Sequence, residues 1–345
     1  VFNQTPFYAE SGGQVGDKGL VLLNGRETAR VLDVQKPLGK VYLHKVEGTL
    51  KKEDRVTLRV DAALRKRCMA NHSAIHLVNA ALRQVFGTSV HQSGSYVSPE
   101  RFRFDYTLSK TPSAEELARA WQIANRAAES ALPVTCQVRP LKDAEKLGAV
   151  TLLGETYADP ARFVLMGGDF DHPENKYSLE LCAGTHVKNT AEVMTVLVLK
   201  EGSVSAGVRR IEGVAGYAAL DYLKEVNRQA DDLAGRLEVP AKDVFTRVNA
   251  IMDELKEVKK RYTQFREKAL AAGGMNEIAV TMKNGSSLVI RNADGAEPKE
   301  LRAIADTVAQ KHQQAIVIVT CDKEGKRSFV VKMAGKLPNI DAVTV

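Results

Sequence analysis

Two histidines four residues apart, His72 and His76, lie in the stretch Asn71-His72-Ser73-Ala74-Ile75-His76. A second pair with the same gap, Cys182 and His186, lies in Cys182-Ala183-Gly184-Thr185-His186. Imidazole nitrogen and thiolate sulfur are the donors that zinc favours, so these four side chains form a candidate ligand set. A His-x-x-x-His pair alone is weak, because two histidines on an amphipathic helix are usually surface or core residues. The repeat of the spacing with a cysteine strengthens it. Zinc peptidases place Glu directly after the first histidine, but Ser73 stands there, which disfavours peptidase chemistry. A zinc site with an open position lowers the pKa of bound water to about 7 and can attack an ester carbonyl. A site closed by four protein ligands is usually structural, and the spacing leaves both uses open. No acidic residue adjoins the histidines to assist a leaving amine, and no Gly-x-Ser-x-Gly elbow, Walker sequence or dinucleotide fingerprint is present.

The elements must hold these pairs together. No Gly or Pro interrupts Asp61 to Phe86, so the spacing predicts one long helix with His72 and His76 on one face. Leu64, Cys68, Asn71, Ile75, Val78, Leu82 and Val85 mark its buried stripe, with the histidines at the stripe edge and Gly87 ending the helix. Cys68, one turn before His72, reads as a packed core thiol.

Residues 1–60 read as a small β-rich subdomain with strands at 20–23, 29–34, 41–46 and 55–60. It opens with the glycine-rich run Ser11-Gly12-Gly13-Gln14-Val15-Gly16-Asp17, where Thr5, Ser11, Gln14 and Asp17 offer polar groups; a hairpin turn is the plain alternative. Residues 61–214 read as a helix-and-sheet core with a largely antiparallel sheet. A capping box at Ser113 and Glu116 opens its second helix. Residues 215–272 read as an antiparallel helical hairpin turning at Glu238-Val239-Pro240 and ending at Gly273-Gly274. A heptad seam follows the turn: Val244, Val248, Ile251, Leu255, Val258, Tyr262, Phe265 and Ala269. Residues 273–345 read as a small, incomplete α/β module. The class is α+β.

The 345 residues carry a net charge of +7, a modest lean toward an anionic partner. Cys68, Cys136, Cys182 and Cys321 are scattered, unlike a secreted disulfide framework. No apolar run approaches the roughly 20 residues that span a bilayer. The chain starts without Met and stops in a strand-like run, so it reads as a piece of a longer cytoplasmic protein.

Five segments occur here in the order found in alanyl-tRNA synthetases: Thr5 to Asp17, Asn71 to His76, Arg103 to Tyr106, Cys182 to His186, and Gly207 to Glu212. The chain resembles that family along essentially its whole length, as the editing domain followed by C-terminal helical and globular parts. The resemblance implies a deacylase that hydrolyses Ser or Gly from mischarged alanine tRNA. It implies one zinc ion held by His72, His76, Cys182 and His186, and an amino-acid pocket that includes Thr5, Gln14 and Gln92. No catalytic side chain beyond the zinc-bound water is implied. Partners are the tRNA and a second copy through the C-terminal region. Arg65-Lys66-Arg67, Arg209-Arg210 and Lys259-Lys260-Arg261 are candidate backbone contacts for tRNA. A tRNA-binding piece with structural zinc and a freestanding editing protein are the alternatives. Ile75 replaces the family's usual Thr, and Asp171 to Tyr177 looks like an insertion.

Overall fold

The structure, a computed structural model, describes residues 1–337 except 38, 40, 153–154, 273–276, 284, 294–295 and 324. It divides into two compact units, Val1–Gln229 and Ala230–Val345.

The first unit begins with a four-stranded antiparallel sheet: β1 (Gly19–Leu23), β2 (Arg26–Gln35), β3 (Leu43–Gly48) and β4 (Val56–Val60), in the order β3-β2-β1-β4. Phe7, Val21, Val31 and Val34 bury its small core. Helix α1 (Ala62–Phe86) follows directly. Asp61 caps it, accepting from the backbone of Ala63 and Leu64 at 3.0 Å each. Gly87, at φ 93°, ends it, its N–H returning to Arg83 O at 2.9 Å.

Around α1 stand two sheets and a helix. β5 (Gln92–Val97) and β6 (Phe102–Thr107) join β10 (Val196–Ser205) and β11 (Val208–Ala215) in the order β10-β11-β6-β5. Between them in sequence come α2 (Ala114–Glu129), β7 (Val134–Arg139), the short α3 (Asp143–Lys146), β8 (Ala161–Met166) and β9 (Ser178–Leu181). β7, β8 and β9 form a separate antiparallel sheet. The capping box at Ser113 and Glu116 forms as the sequence predicts.

The middle of α1 differs from the expected stripe. From Ala70 to Leu82 every residue is buried, on all faces. One apolar cluster includes Ile75 and Leu82 of α1, Phe102 and Phe104 of β6, Ala124 of α2, and Val164 of β8. The helix is therefore a central rod, and its histidines lie inside rather than at an exposed edge. The sequence signal was the absence of any charged residue between Cys68 and Leu82.

Helix α4 (Tyr217–Leu237) runs out of this unit into the next. In the second unit Pro240 precedes a 3₁₀ turn, Ala241–Asp243, and α5 (Val244–Ala272) follows. Of the heptad residues of α5, Val244 and Val248 are half-buried and Ile251, Leu255, Val258, Tyr262 and Phe265 are exposed, from 36% at Ile251 to 72% at Phe265; Leu223 and Leu233 of α4 are exposed too. Heptad spacing defines an apolar face but not what covers it. Gly273-Gly274 lies outside the described residues.

The rest of the second unit is a sheet of β12 (Glu277–Thr281), β13 (Ser287–Asn292), β14 (Ala315–Lys323) and β15 (Lys326–Ala334), in that order. β13 and β14 pair in parallel, linked by α6 (Leu301–Ala309) as a parallel pair requires. Leu301, Ile304 and Val308 of α6 pack on Val289, Val317 and Val319.

Candidate metal centre

His72, His76, Cys182 and His186 converge, with one donor atom of each within 4.8 Å of all the others. Helical periodicity stacks His72 and His76, whose rings lie 5.4 Å apart at 10°. Cys182 and His186 come from the turn that leaves β9, and the His186 ring sits 4.5 Å from that of His72 and 4.8 Å from that of His76.

Donor spacing fits a tetrahedral ion. Zinc bond lengths of about 2.3 Å to sulfur and 2.0–2.1 Å to nitrogen place S and N about 3.5 Å apart. Here Cys182 Sγ lies 3.4 Å from His72 Nε2 and 3.3 Å from His186 Nε2. His76 Nε2 is buried without a partner of hydrogen-bond geometry. An unpartnered buried imidazole nitrogen beside two other imidazoles and a thiol fits a group that could hold a metal ion. Cys182 alone of the four is only partly buried, so the centre faces solvent on its side.

Nδ1 of each histidine faces a different group, leaving Nε2 for the centre. His72 Nδ1 lies 2.8 Å from Gln14 Oε1. His186 Nδ1 lies 3.3 Å from Ser73 Oγ, which also accepts from Val187 N at 3.2 Å. His76 Nδ1 lies 2.8 Å from Glu180 Oε2.

The ligand turn is strapped from two sides. Arg162 of β8 donates through one nitrogen to the carbonyls of Cys182 at 2.7 Å and Gly184 at 2.8 Å. Gln14 Oε1 accepts from Thr185 N at 2.9 Å. Gly184 packs against the His72 ring so closely that a Cβ there would lie 2.0 Å from Cε1. The glycine-rich run is itself docked on β5. Val97 N donates to Gly13 O at 2.8 Å, and a Cβ on Gly13, at φ 81°, would lie 2.5 Å from Ser95 O. Asp17, buried, is gripped by Arg65 of α1, which ties the run to the helix that carries the histidines.

The electrostatics favour metal-binding forms at two of the donors. Burial raises the Cys182 thiol, but the His72 and His186 imidazoles outweigh it and hold the group well below the usual thiol range. Burial pushes His186 down to about 3, partly countered by the Cys182 sulfur. Burial also lowers His76, yet Glu180 and Cys182 prevail and push it up to about 10.

The remaining expected pocket residues fall in three places. Gln14 is fully buried and its amide is spent on His72 and Thr185. Gln92 lies beside the glycine-rich run, its Nε2 donating to Ser95 Oγ at 3.1 Å, which in turn reaches Gly12 O at 3.4 Å. Thr5 pairs with His44 Nε2 at 2.8 Å and lines a cleft of about 1320 Å³ with Lys51, Lys52 and Arg55; none of the four donors borders that cleft. Ile75 is buried in the core cluster, where a threonine hydroxyl would meet apolar neighbours. Within Asp171 to Tyr177, His172 and Glu174 are exposed, while Tyr177 OH anchors the segment to Leu77 O at 2.9 Å.

Sequence reading missed Glu180, Ser73 and Arg162. Glu180 had a signal: it precedes Cys182 by two, the period that puts both on one face of a strand. Arg162 had none, since its partners are backbone carbonyls some 20 residues away.

Comparison with known proteins accords with this geometry. Residues 161–212 match the family described as the threonyl and alanyl tRNA synthetase second additional domain, and residues 1–64 match class II (A) tRNA synthetases. An alanine–tRNA ligase of Elusimicrobium minutum is 50% identical over 100% of the chain. The chain belongs to the alanine–tRNA ligase family. Alanine–tRNA ligases of Mesorhizobium japonicum and Parvibaculum lavamentivorans are 40% and 37% identical over 100% and 98% of the chain. The chain spans 40%, 40% and 39% of the lengths of the Elusimicrobium, Mesorhizobium and Parvibaculum ligases. No helix among the described residues is long and apolar enough to cross a membrane.

Proposed function

We propose that this part of the alanine–tRNA ligase family fold is an editing deacylase, which hydrolyses the ester of Ser or Gly wrongly attached to alanine tRNA. The convergence of His72 and His76 with Cys182 and His186, the latter two inside the matched segment 161–212, carries the reading. Zinc bound by these four residues would supply Lewis acidity and an activated water. The chain's own residues hold the donors: Gln14, Glu180 and Ser73 fix the three rings, and Arg162 straps the turn. Gln92 and Ser95, hydrogen-bonded to each other beside Gly12, would offer polar groups to a serine hydroxyl. Thr5, which the resemblance also assigns to the amino-acid pocket, lines a cleft with His44. The chemistry suits the task. An apolar pocket rejects a near-isostere only about a hundredfold, whereas a second site that hydrogen-bonds the hydroxyl adds discrimination.

Of the basic clusters, the exposed Lys259-Lys260-Arg261 on α5 is the better tRNA contact. Arg209 and Arg210 are already bidentate to Glu201 and Asp105, and Arg65 and Arg67 are paired with Asp17 and Asp221. A second copy joined through the C-terminal region belongs to the same proposal.

The test is deacylation of Ser-, Gly- and Ala-tRNA for alanine, with and without chelator. The expected result is fast loss of serine or glycine, little loss of alanine, and inhibition by chelator. Equal rates on all three esters overturn the editing reading. A second reading, structural zinc in a tRNA-binding module, is favoured by the presence of four protein donors, which can close the coordination sphere. Cys182→Ala separates them: a structural ion predicts a fall in melting temperature, a catalytic one predicts lost hydrolysis with tRNA binding kept.

A further inference from the structure

Three carboxylates deep in the first unit invite comparison. Asp17, Asp105 and Glu180 are 6%, 8% and 5% exposed. Asp17 is paired with Arg65 and Asp105 with Arg210. Glu180 has no Lys or Arg in an ion pair among the described residues. Its neighbours are Asn79 Nδ2 at 3.1 Å, Ser178 Oγ at 3.0 Å and His76 Nδ1 at 2.8 Å, the last a close but bent contact. A buried carboxylate needs a cation close by, and among the described residues the His76 ring is the one group beside Glu180 that can carry positive charge.

We propose that Glu180 is a positioning residue of the metal centre, whose carboxylate orients His76 and balances the charge of a divalent ion from outside its coordination sphere. The inference rests on the reading of the four donors as metal ligands. Three neutral imidazoles and one thiolate leave a divalent ion with one uncompensated positive charge. Glu180 supplies the missing negative charge, one ring away. The other two histidines meet only neutral partners, Gln14 and Ser73, so the compensation is local to His76. The backbone makes the arrangement cheap to build. Ser178, Glu180 and Cys182 alternate along β9 and its exit, facing α1, while His76 and Asn79 share one helix face. The strand that delivers the thiolate therefore also delivers the carboxylate, and Asn79 and Ser178 fix its oxygens.

The decisive measurement is zinc affinity of the whole chain by competition with a chromophoric chelator, comparing wild type with Glu180→Gln. Loss of an outer-sphere partner of this kind costs about 10- to 100-fold in metal affinity. The expected result is a loss in that range with the melting temperature of the metal-free chain kept. Cobalt substitution adds a signature that a merely structural role would not move: the ligand-field bands shift in Glu180→Gln while the thiolate charge-transfer band stays. Should Glu180→Gln fail to fold, Asn79→Ala, which removes only a support of the carboxylate, must show a smaller loss in the same direction. Equal zinc affinity and equal cobalt spectra in wild type and variant overturn the proposal and leave the ligand set standing. A wild-type chain that takes up no zinc overturns both.

Discussion

At the residue scale, small groups decide whether the centre exists. Gly184→Ala would drive a methyl to 2.0 Å from His72 Cε1, against a ring already pinned by Gln14, so neither side can yield. The expected outcome is a chain that folds but holds substoichiometric zinc, checked by metal analysis after gel filtration. The cysteines should separate by chemistry. Burial pushes the Cys68 thiol up to about 12, so it stays protonated and inert to alkylation at pH 8. His72 and His186 hold Cys182 well below the usual thiol range, and on the proposed metal binding it would become reactive only when chelator strips the ion. Mass mapping after iodoacetamide should therefore find Cys182 modified only with chelator, and Cys68 only after unfolding. Modification of Cys182 at equal rates with and without chelator would contradict its role as a ligand.

At the element scale, α1 is the part on which the first unit is assembled. Its N-terminus is joined to the glycine-rich run by the Asp17–Arg65 pair, with Arg65 about three-quarters buried. Arg65→Ala would leave a buried carboxylate unpaired, a change that costs on the order of 3 kcal/mol or more. Urea unfolding followed by fluorescence of Trp121, on α2, should show the midpoint fall accordingly. Asp61→Ala removes the cap and should cost less, about 1 kcal/mol. The long helix and both its ends were legible in the sequence because they depend on local signals: a cap, an uninterrupted run and a glycine. That the helix is enclosed on every side was not legible from its stripe, because enclosure depends on sheets formed by residues far along the chain.

At the scale of the whole molecule, the net charge of +7 does not translate into equal basic patches. Four of the arginines that look like a nucleic-acid surface in sequence are held by Asp17, Asp221, Glu201 and Asp105. Replacing Lys259, Lys260 and Arg261 together by Ala should weaken tRNA binding and flatten its salt dependence, since each lost phosphate contact lowers the slope by about 1. Arg210→Ala should instead lower thermal stability and leave the slope unchanged. Filter binding across a salt series distinguishes these outcomes.

The sequence by itself determined the four candidate donors, the helix that carries two of them and the capping signals, because each is written in residue type and short-range period. Only the tertiary structure decided that the donors meet, that Gln14 supports His72, and that Glu180 stands behind His76. Those contacts span from about 60 to about 110 residues and depend on how β9 and the glycine-rich run dock against α1. Local periodicity says which face a side chain occupies; only packing says what that face meets.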